Sequence, residues 1–576
     1  MAYCLDKDDK RAFYIFLAAI LAAMMVNVAH PYLWGPDEPR EAETAREALV
    51  TRNFVTPHLC GLPFLEKPPL YYDMIAAVFA ITGSITPTAA RSVSAALGLL
   101  MLASVFFFAL RWKGMRGAIF STAILAAMPQ FYRYSHWILL DIGVGAFSVL
   151  ALTALAYWMF WAKGKRGEIL ALFIFYLGSA CAFLTKGVVG LFHAAVVALA
   201  FFVVTKRYKA IKRLLSSPMI FVFLAPVGLW IYLYYKEGGI CYLHEHFVNN
   251  IIGRFLHVHF KLNGCDLYNT DLGNKAKWYF YLQRLPDMFG LTLLALPFAL
   301  WDWARRFFNA EEPDEKRPDE KRVDGSITLF LVIWAILPIV LLSIPIIKEV
   351  SYVLPSYAAV ALLAGGWLDG KLKTAQGKKW DGVAWLFIVI FVVASKLLHH
   401  FLMGFKAYLL CMAVFFLVTI FFMIRALLKK RLTELSFLII SVSLAAVIAG
   451  NIPKVILKTR PCLKHKSYIG LAYMVWAEAG NRRLYLYMPN DTWRGSIPFY
   501  GKRMAEELDR PLDLCSVLLE HGNAIMLDRD RLNMATIEPC LIASGAPYRL
   551  IMLPDMGLDA EFALLISGGH GVWTAP

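Results

Sequence analysis

The sequence has little charge for its length, since Asp, Glu, Lys and Arg together make up 17% of the 576 residues. Hydrophobic residues make up 59% of the chain, and the mean hydropathy is +0.56. Many of the apolar runs are long enough to cross a bilayer. This composition excludes a water-soluble protein and predicts a polytopic α-helical membrane protein.

Several short motifs are also missing from the sequence. It has no glycine-rich loop of the GxGxxG or GKS type, and therefore offers no nucleotide-binding loop. The nine cysteines include no CxxC pair, and no HExxH spacing occurs. No small-residue cleavage site follows the first apolar run, so we interpret residues 12–28 as a membrane span rather than a signal peptide. Cys462, Cys515 and Cys540 lie in a polar tail, where a disulfide is expected if the tail is exported.

The net charge of +16 has a topological explanation. Its cations lie in loops between apolar segments, which is typical of membrane topology and argues against nucleic-acid binding. When every cationic cluster is placed in the cytoplasm, the N-terminus lies inside and the C-terminal tail outside. This arrangement predicts thirteen spans, near residues 12–29, 93–110, 117–133, 142–162, 168–185, 187–205, 218–235, 286–304, 327–346, 352–368, 383–399, 406–424 and 434–452.

Three external segments follow from this topology: a loop at 30–92, a loop at 236–285, and the tail. We therefore predict a membrane domain at residues 1–452 and a small α/β domain at 453–576. Apolar runs of alternating pattern predict strands in the tail at 484–488 and 524–527, with a helix at 504–508. The run at 71–81 is too short to cross, and is predicted to dip into the outer leaflet.

The first external loop concentrates charge in a protein that has little of it. The segment PDEP at residues 36–39 is a helix-start signature, in which Asp37 can cap free N–H groups. Alanine and leucine then recur at helical spacing with charged residues on the other faces, which predicts an amphipathic helix lying on the bilayer. The alternative is that Asp37 is only a cap and the charges only a solvated surface.

Other ionisable residues lie at predicted membrane edges. Glu66 and Lys67 precede the short apolar run, Asp141 begins a span, and Lys186 occupies the turn between two spans. Such residues are costly in a membrane and are therefore functional candidates. The alternatives are a Lys67 that extends to lipid headgroups and a Lys186 that belongs only to an interfacial turn. Because the topology puts all of these residues and Asp37 on the outer side, we predict a single polar site there.

The loop at 236–285 is rich in histidine. It contains His244, His246, His257 and His259. The pairs Glu245-His246 and His257-Val-His259 could supply one or two metal ligands, with a carboxylate such as Glu66 completing the set. An isolated histidine is more often a hydrogen-bonded polar residue, and both interpretations stay open.

These motifs together have a familiar pattern. GPDEPR at residues 35–40, its continuation Glu43-x-x-Arg46-Glu47, EKPPL at 66–70 and LTKG at 184–187 resemble the ArnT-type aminoarabinose lipid A transferase family. That family is a bacterial branch of the GT-C membrane glycosyltransferases, related to the protein O-mannosyltransferases. The resemblance is strongest over residues 30–260; the later half is similar in layout, with thirteen spans, juxtamembrane helices and a C-terminal periplasmic domain.

The resemblance implies an inverting transfer of a sugar, such as 4-amino-4-deoxy-L-arabinose, from undecaprenyl phosphate to lipid A at the periplasmic face of the bacterial inner membrane. It implies no nucleotide cofactor, but a divalent metal such as zinc held by Glu66 and His246, with His257 as the alternative to His246. The implied catalytic residues are Asp37, Arg40 and Lys67, and the implied substrate-binding residues are Glu66, Tyr71, Asp141, Lys186 and Tyr352.

Two further functions stay open at this point. The same donor could serve a protein or another surface glycan as acceptor. A transporter of lipid-linked substrates is the third hypothesis, although the sequence shows no internal repeat and its polar candidates cluster at one surface. If the acceptor is a hydroxyl, Asp37 is expected to act as general base; if it is a phosphate, Asp37 is expected to orient the acceptor or stabilise charge on the sugar.

Overall fold

The structure of the chain, a computed structural model, describes residues 28–265, 275–308 without 291, 318–374, 459–508, 511–520, 522–528, 548–554, 558 and 561–567, with single positions before residue 28. The predicted spans at 383–399, 406–424 and 434–452 lie outside the described residues. The chain divides into two compact units. The first comprises Met1–Val26, Ser94–His136 and Leu140–Ile456, and the second comprises Asn27–Val93, Trp137–Leu139 and Leu457–Pro576.

Helices dominate the described residues. In chain order they are α1 (Asp37–Thr51), α2 (Leu70–Thr82), α3 (Pro87–Ala126), α4 (Pro129–His136), α5 (Asp141–Phe160), α6 (Gly164–Lys186), α7 (Val188–Val204), α8 (Tyr208–Leu215), α9 (Phe221–Leu243), α10 (Arg254–Leu256), α11 (Phe280–Phe289), α12 (Thr292–Phe308), α13 (Pro318–Leu342), α14 (Ser356–Thr374), α15 (Thr459–Ala479), α16 (Asp491–Gly501) and α17 (Pro511–Leu519).

Five helical stretches among the described residues are long and apolar enough to cross a membrane. They are α3, α5, α6, the stretch Pro218–Leu256 that contains α9, and Val323–Leu342 within α13. Two apolar helices, α2 and α7, are shorter. The run at 71–81 lies in α2, which has 13 residues; that it dips into the outer leaflet stays a prediction. The total of thirteen spans stays a prediction.

Helix α3 contains a break at Gly114. The backbone of Gly114 has φ 81° and ψ −170°, a conformation that glycine adopts without the steric cost of a side chain. The two helical segments that meet there correspond to the predicted spans at 93–110 and 117–133. The second segment is shorter than predicted, because α3 ends at Ala126 and α4 begins at Pro129.

The second unit contains a five-stranded sheet. Its strands are β3 (Arg483–Tyr487), β4 (Ala505–Leu508), β5 (Asn523–Asp528), β6 (Tyr548–Met552) and β7 (Phe562–Ser567), in the order β4-β3-β5-β7-β6. β3 is parallel to β4 and β5, whereas β7 is antiparallel to β5 and β6. Helices cover both faces, with the side chains of α15 and α16 on one face and those of α17 on the other. A two-stranded hairpin, β1 (His58–Leu59) with β2 (Leu62–Pro63), lies in the same unit.

The strands predicted at 484–488 and 524–527 are confirmed as β3 and β5. The helix predicted at 504–508 is wrong, because these residues form β4. Ala505 and Leu508 are buried in the sheet, and β4 pairs with β3 along its length. Burial and ladder hydrogen bonds here outweigh the helix preference of alanine and glutamate.

Candidate active site

The DEPR motif of residues 37–40 forms the start of helix α1, which lies in the second unit. The helix predicted there is confirmed, but Asp37 is its first residue, and no side chain caps it. The interpretation of Asp37 as a cap is therefore wrong. Its carboxylate instead accepts a hydrogen bond from Arg40, with Arg40 Nη2 at 2.9 Å from Asp37 Oδ1.

Arg40 is surrounded by carboxylates within the second unit. Its Nη2 also lies 3.0 Å from Glu41 Oε1, and its Nη1 lies 2.7 Å from Asp491 Oδ2. Burial alone lowers the pKa of Arg40, but Glu41, Asp37 and Asp491 outweigh it and hold the pKa well above its ordinary value. Burial raises the pKa of Glu41 against the attraction of Arg40. The arrangement presents a fixed guanidinium beside a half-exposed Asp37 carboxylate.

The charged surface of α1 is buried, which contradicts the alternative that its charges form only a solvated surface. That the helix lies on the bilayer stays a prediction. Glu38, Glu43, Arg46 and Glu47 are all inaccessible to solvent, or nearly so. The reason is that α1 packs between other elements of the second unit, including α2 and α16. Buried charges are costly unless paired, and Glu38 pairs with Arg91 and Glu43 with Arg46.

Glu43, Arg46 and Glu47 form one buried group. Arg46 donates to Glu43 from Nε at 2.7 Å and from Nη2 at 2.6 Å, and it also donates to the carbonyl of Arg503. Glu47 accepts the backbone N–H groups of Cys60 at 2.6 Å and of the following glycine at 3.2 Å. Both turn residues have positive φ, as a two-residue hairpin turn requires. Glu47 thus binds the turn between β1 and β2.

Glu47 makes the stability of the protein depend on pH. Burial, reinforced by the neighbouring Glu43, raises the pKa of Glu47 to about 8. The folded protein therefore holds a proton that the unfolded chain releases near its ordinary pKa of 4.5. Stability from this group is complete below that value and is lost as the pH rises through 8, by at most about 1.4 kcal/mol per pH unit. We expect Glu47→Gln to have a flatter profile of melting temperature between pH 6 and 9 than the wild type. Parallel profiles would contradict this assignment.

The second predicted pair, Glu66 and Lys67, also lies in the second unit. Lys67 Nζ is 3.3 Å from Glu66 Oε2, and both side chains are largely buried. The negative charge of Glu66 also acts on Arg40. Tyr71 is fully buried at the start of α2, with its ring edge-on to that of Tyr72.

In the first unit the structure brings Asp141 and Lys186 together. Asp141 is the first residue of α5 and Lys186 the last of α6, two helices that pack against each other. A carboxylate at a helix N-terminus and an ammonium at a C-terminus are each favoured by the helix dipole. Lys186 Nζ forms a short ion pair with Asp141 Oδ1. The tight turn that follows Lys186 is possible because Gly187 has φ 62°.

Tyr352 completes this cluster. It lies in a single 3₁₀ turn, Val350–Val353, and its ring centroid is 4.9 Å from Lys186 Nζ. Two charged residues that the sequence analysis did not identify, Arg254 and Glu349, also interact electrostatically with Tyr352. Neither belongs to the motifs described above; Arg254 directly follows the π-helix His244–Gly253, and Glu349 directly precedes the 3₁₀ turn.

His246 lies beside the turn that follows Lys186. A Cβ at Gly187 would be 3.3 Å from His246 Nε2, and the imidazole packs edge-on to Trp230. Among the described residues, no group of three or more His, Cys, Asp or Glu side chains could hold a metal ion. His257, the alternative ligand, ends α10 in a left-handed conformation. This part of the chain therefore does not supply a complete ligand set, and the metal stays a prediction.

The loop at 236–285 contains a disulfide between Cys241 and Cys265. The sequence pattern indicated a disulfide only among the tail cysteines, of which Cys515 is disulfide-bonded. The bond encloses the π-helix His244–Gly253, on which His246 lies. Spacing alone did not reveal this pair, because 24 residues separate the two cysteines.

The sequence is similar to a known family and to known transferases. The family described as dolichyl-phosphate-mannose-protein mannosyltransferase matches residues 11–240. The chain is 28% identical over 386 residues to the undecaprenyl phosphate-alpha-4-amino-4-deoxy-L-arabinose arabinosyl transferase of Pectobacterium atrosepticum, covering 66% of this chain and 63% of that protein. The transferase of the same name from Aeromonas hydrophila is 28% identical over 360 residues, covering 62% and 59%.

The predicted resemblance to the ArnT-type family is confirmed. The crystal structure of ArnT from Cupriavidus metallidurans bound to undecaprenyl phosphate superposes with a TM-score of 0.71 at 19% identity, covering 98% of this chain and 99% of ArnT. The apo state of the same ArnT gives 0.70 at 20% identity, covering 96% and 98%. The chain thus has the fold of ArnT, that of a helical GT-C membrane protein.

The sequence matches cover about three fifths of the length of the Pectobacterium and Aeromonas relatives. Within each unit, the residues predicted from the ArnT-type motifs do meet. Asp37 meets Arg40 and Glu66 meets Lys67 in the second unit, and Asp141, Lys186 and Tyr352 meet in the first. That all of them form a single site stays a prediction.

Proposed function

We propose that the chain is an inverting glycosyltransferase that moves a sugar from undecaprenyl phosphate to lipid A. The first sugar to test is 4-amino-4-deoxy-L-arabinose, which the names of the Pectobacterium and Aeromonas relatives specify. The observation that carries the proposal is the Asp37–Arg40 ion pair, formed by the DEPR motif in a chain with the fold of ArnT.

The chemistry needs cations near a phosphate and a carboxylate near the acceptor. An oxygen of the acceptor forms a bond to the sugar C1 as the bond between C1 and the phosphate oxygen breaks, and the electron pair of the broken bond leaves with undecaprenyl phosphate. Arg40, Lys67 and Lys186 are proposed to stabilise that negative charge. Asp37 takes the proton from a hydroxyl acceptor; with a phosphate acceptor, which is already anionic, it orients the acceptor or stabilises positive charge on the sugar.

The proposed location is the bacterial inner membrane, with thirteen spans, periplasmic juxtamembrane helices, and the reaction and C-terminal α/β domain on the periplasmic side. The disulfide between Cys241 and Cys265 supports this orientation for the loop at 236–285, because disulfides persist in the oxidising periplasm and are rare in the cytoplasm. The cationic clusters between the predicted spans support it independently.

A second acceptor class has one observation in its favour. The family that matches residues 11–240 is described as a protein mannosyltransferase, so a protein hydroxyl is the alternative acceptor for the same class of donor. Asp37 would then act as general base.

A transfer assay tests the proposal. We expect the purified wild type in lipid to move radiolabel from undecaprenyl-phosphate aminoarabinose to Kdo2–lipid A, and Asp37→Ala and Lys67→Ala each to lower the rate by at least about 10²-fold. Asp513→Asn, an exposed residue of α17, is the control and should match the wild type. Loss of label from the donor without label in lipid A would favour another acceptor. A wild type that transfers no label to any acceptor would contradict the proposal.

A further inference from the structure

Among the hydrogen bonds of the described residues, Asp491 is the only acceptor for Nη1 of Arg40. Its Oδ2 lies 2.7 Å from Arg40 Nη1, whereas Asp37 and Glu41 share Nη2 on the other side. Asp37 and Glu41 belong to α1 itself, but Asp491 begins α16, 451 residues after Arg40 in the sequence. A residue of the C-terminal segment thus holds a residue of the first external loop.

The position of Asp491 is set by the start of α16. Asn490 caps this helix, with its side chain accepting the backbone N–H groups of Thr492 at 3.0 Å and Trp493 at 3.2 Å. The same helix approaches the backbone of α1 closely, since a Cβ at Gly495 would lie 2.3 Å from the carbonyl carbon of Pro39. The cap and the close contact together place the Asp491 carboxylate against Arg40.

The Arg40–Asp491 pair is poorly suited to stabilising the fold. The side chains are 20% and 37% exposed, and ion pairs of such exposure contribute about 0–1 kcal/mol. The packing of α16 on α1 already includes the close backbone approach at Gly495. What the pair adds is a partner for Nη1 of a guanidinium that Glu41 also binds through Nε and Nη2 and that donates to Asp37.

We propose that Asp491 is a positioning residue for transfer, which holds the Arg40 guanidinium against Asp37. The inference rests on the proposed function, and it gives the C-terminal domain a part in the reaction. Without Asp491, Arg40 Nη1 loses this partner and the guanidinium can rotate away from Asp37. Misplacement of a reacting group by about 1 Å can cost about 10²-fold in rate.

Kinetics of three variants test the inference. Asp491→Asn removes the charge at nearly constant shape, and we expect kcat to fall by about 10- to 100-fold with the KM for the donor within about twofold of the wild type. Asp491→Glu, which restores the charge, is expected to recover most of kcat. Asp513→Asn is the matched control, because Asp513 lies in the first turn of α17 as Asp491 does in α16. Its kcat should equal that of the wild type.

A double variant separates positioning from a general structural effect. If Asp491 acts through Arg40, Asp491→Asn should have little further effect on kcat in an Arg40→Lys background, in which the fork of donors is already lost. If the wild type is active and the kcat values of Asp491→Asn and Asp513→Asn are equal, the inference about Asp491 is overturned and the proposed function is not. An additive loss in the Arg40→Lys background would also overturn the inference. Absence of transfer by the wild type would instead contradict the proposed function.

Discussion

The double variant Asp141→Asn with Lys186→Met is expected to transfer sugar about 10²- to 10³-fold more slowly than the wild type, and no faster than Lys186→Met alone. The reason is that Lys186 is proposed to stabilise the negative charge on the departing phosphate. Neutralising Asp141 does not restore that stabilisation. The measurement is kcat for label transfer from the undecaprenyl-phosphate sugar, with melting temperature recorded for each variant.

The competing explanation is that Asp141 and Lys186 only join α5 to α6. A buried pair that serves structure alone can be replaced by neutral residues with little loss, whereas removing one partner is costly. A structural pair therefore predicts that Asp141→Asn restores activity to Lys186→Met. Such a rescue would contradict the catalytic assignment of Lys186.

The same unit offers a matched control for this experiment. Lys113 Nζ lies 2.6 Å from Asp324 Oδ1 and joins α3 to α13, and neither residue is a predicted site residue. Lys113→Met with Asp324→Asn repeats the two substitutions in a pair that has no proposed part in the reaction. We expect its kcat to stay within about twofold of the wild type, as for other partly exposed ion pairs.

The DEPR motif illustrates how far the sequence could predict the site. Helical spacing located α1 correctly, and the resemblance singled out Asp37 and Arg40, which do form an ion pair. No role was assigned to Glu38, the neighbour of Asp37. Asp37 is half-exposed and faces Arg40, whereas Glu38 is fully buried and binds Arg91. Adjacent carboxylates in one motif thus have different partners, and only the packed structure shows which.

The burial of α1 could not be predicted for a physical reason. Spacing along a helix reveals which residues share a face, but it does not reveal what covers that face. The partners of α1 are remote in sequence: Arg46 donates to the carbonyl of Arg503, and Arg40 pairs with Asp491. A charged helix face that other elements cover has the same sequence pattern as one exposed to solvent.

The ends of the membrane helices could be predicted from the sequence, whereas strand β4 could not. The ion pair between Asp141 and Lys186 arises because α5 starts and α6 ends at the predicted membrane edge, which hydropathy could locate. Strand β4 was missed because its sequence, AEEL, has a local preference for helix. Its pairing with β3 is a contact that local preference does not encode.

Glu38 and Arg91 are expected to determine the stability of the second unit. Arg91 donates from Nε to Glu38 Oε1 at 2.9 Å and from Nη2 to Oε2 at 2.6 Å, and it also donates to the carbonyls of His30 and Tyr32. Glu38 additionally accepts the backbone N–H of Ile138 at 2.8 Å. The pair therefore joins three segments of this unit, residues 30–38, the start of α3 and residues 137–139.

We expect Arg91→Met to lower the free energy of unfolding by about 3–5 kcal/mol, because it leaves the Glu38 carboxylate buried without its charged partner. For a unit of this size the loss corresponds to a fall in melting temperature of roughly 10 °C, measured by tryptophan fluorescence in detergent.

The double variant Glu38→Gln with Arg91→Met should lose less stability than Arg91→Met alone, since it removes both charges. Arg284→Met, in the exposed pair with Asp287, is the matched control and should change stability by less than about 1 kcal/mol. If Arg91→Met melts no earlier than Arg284→Met, the buried pair does not hold these segments together.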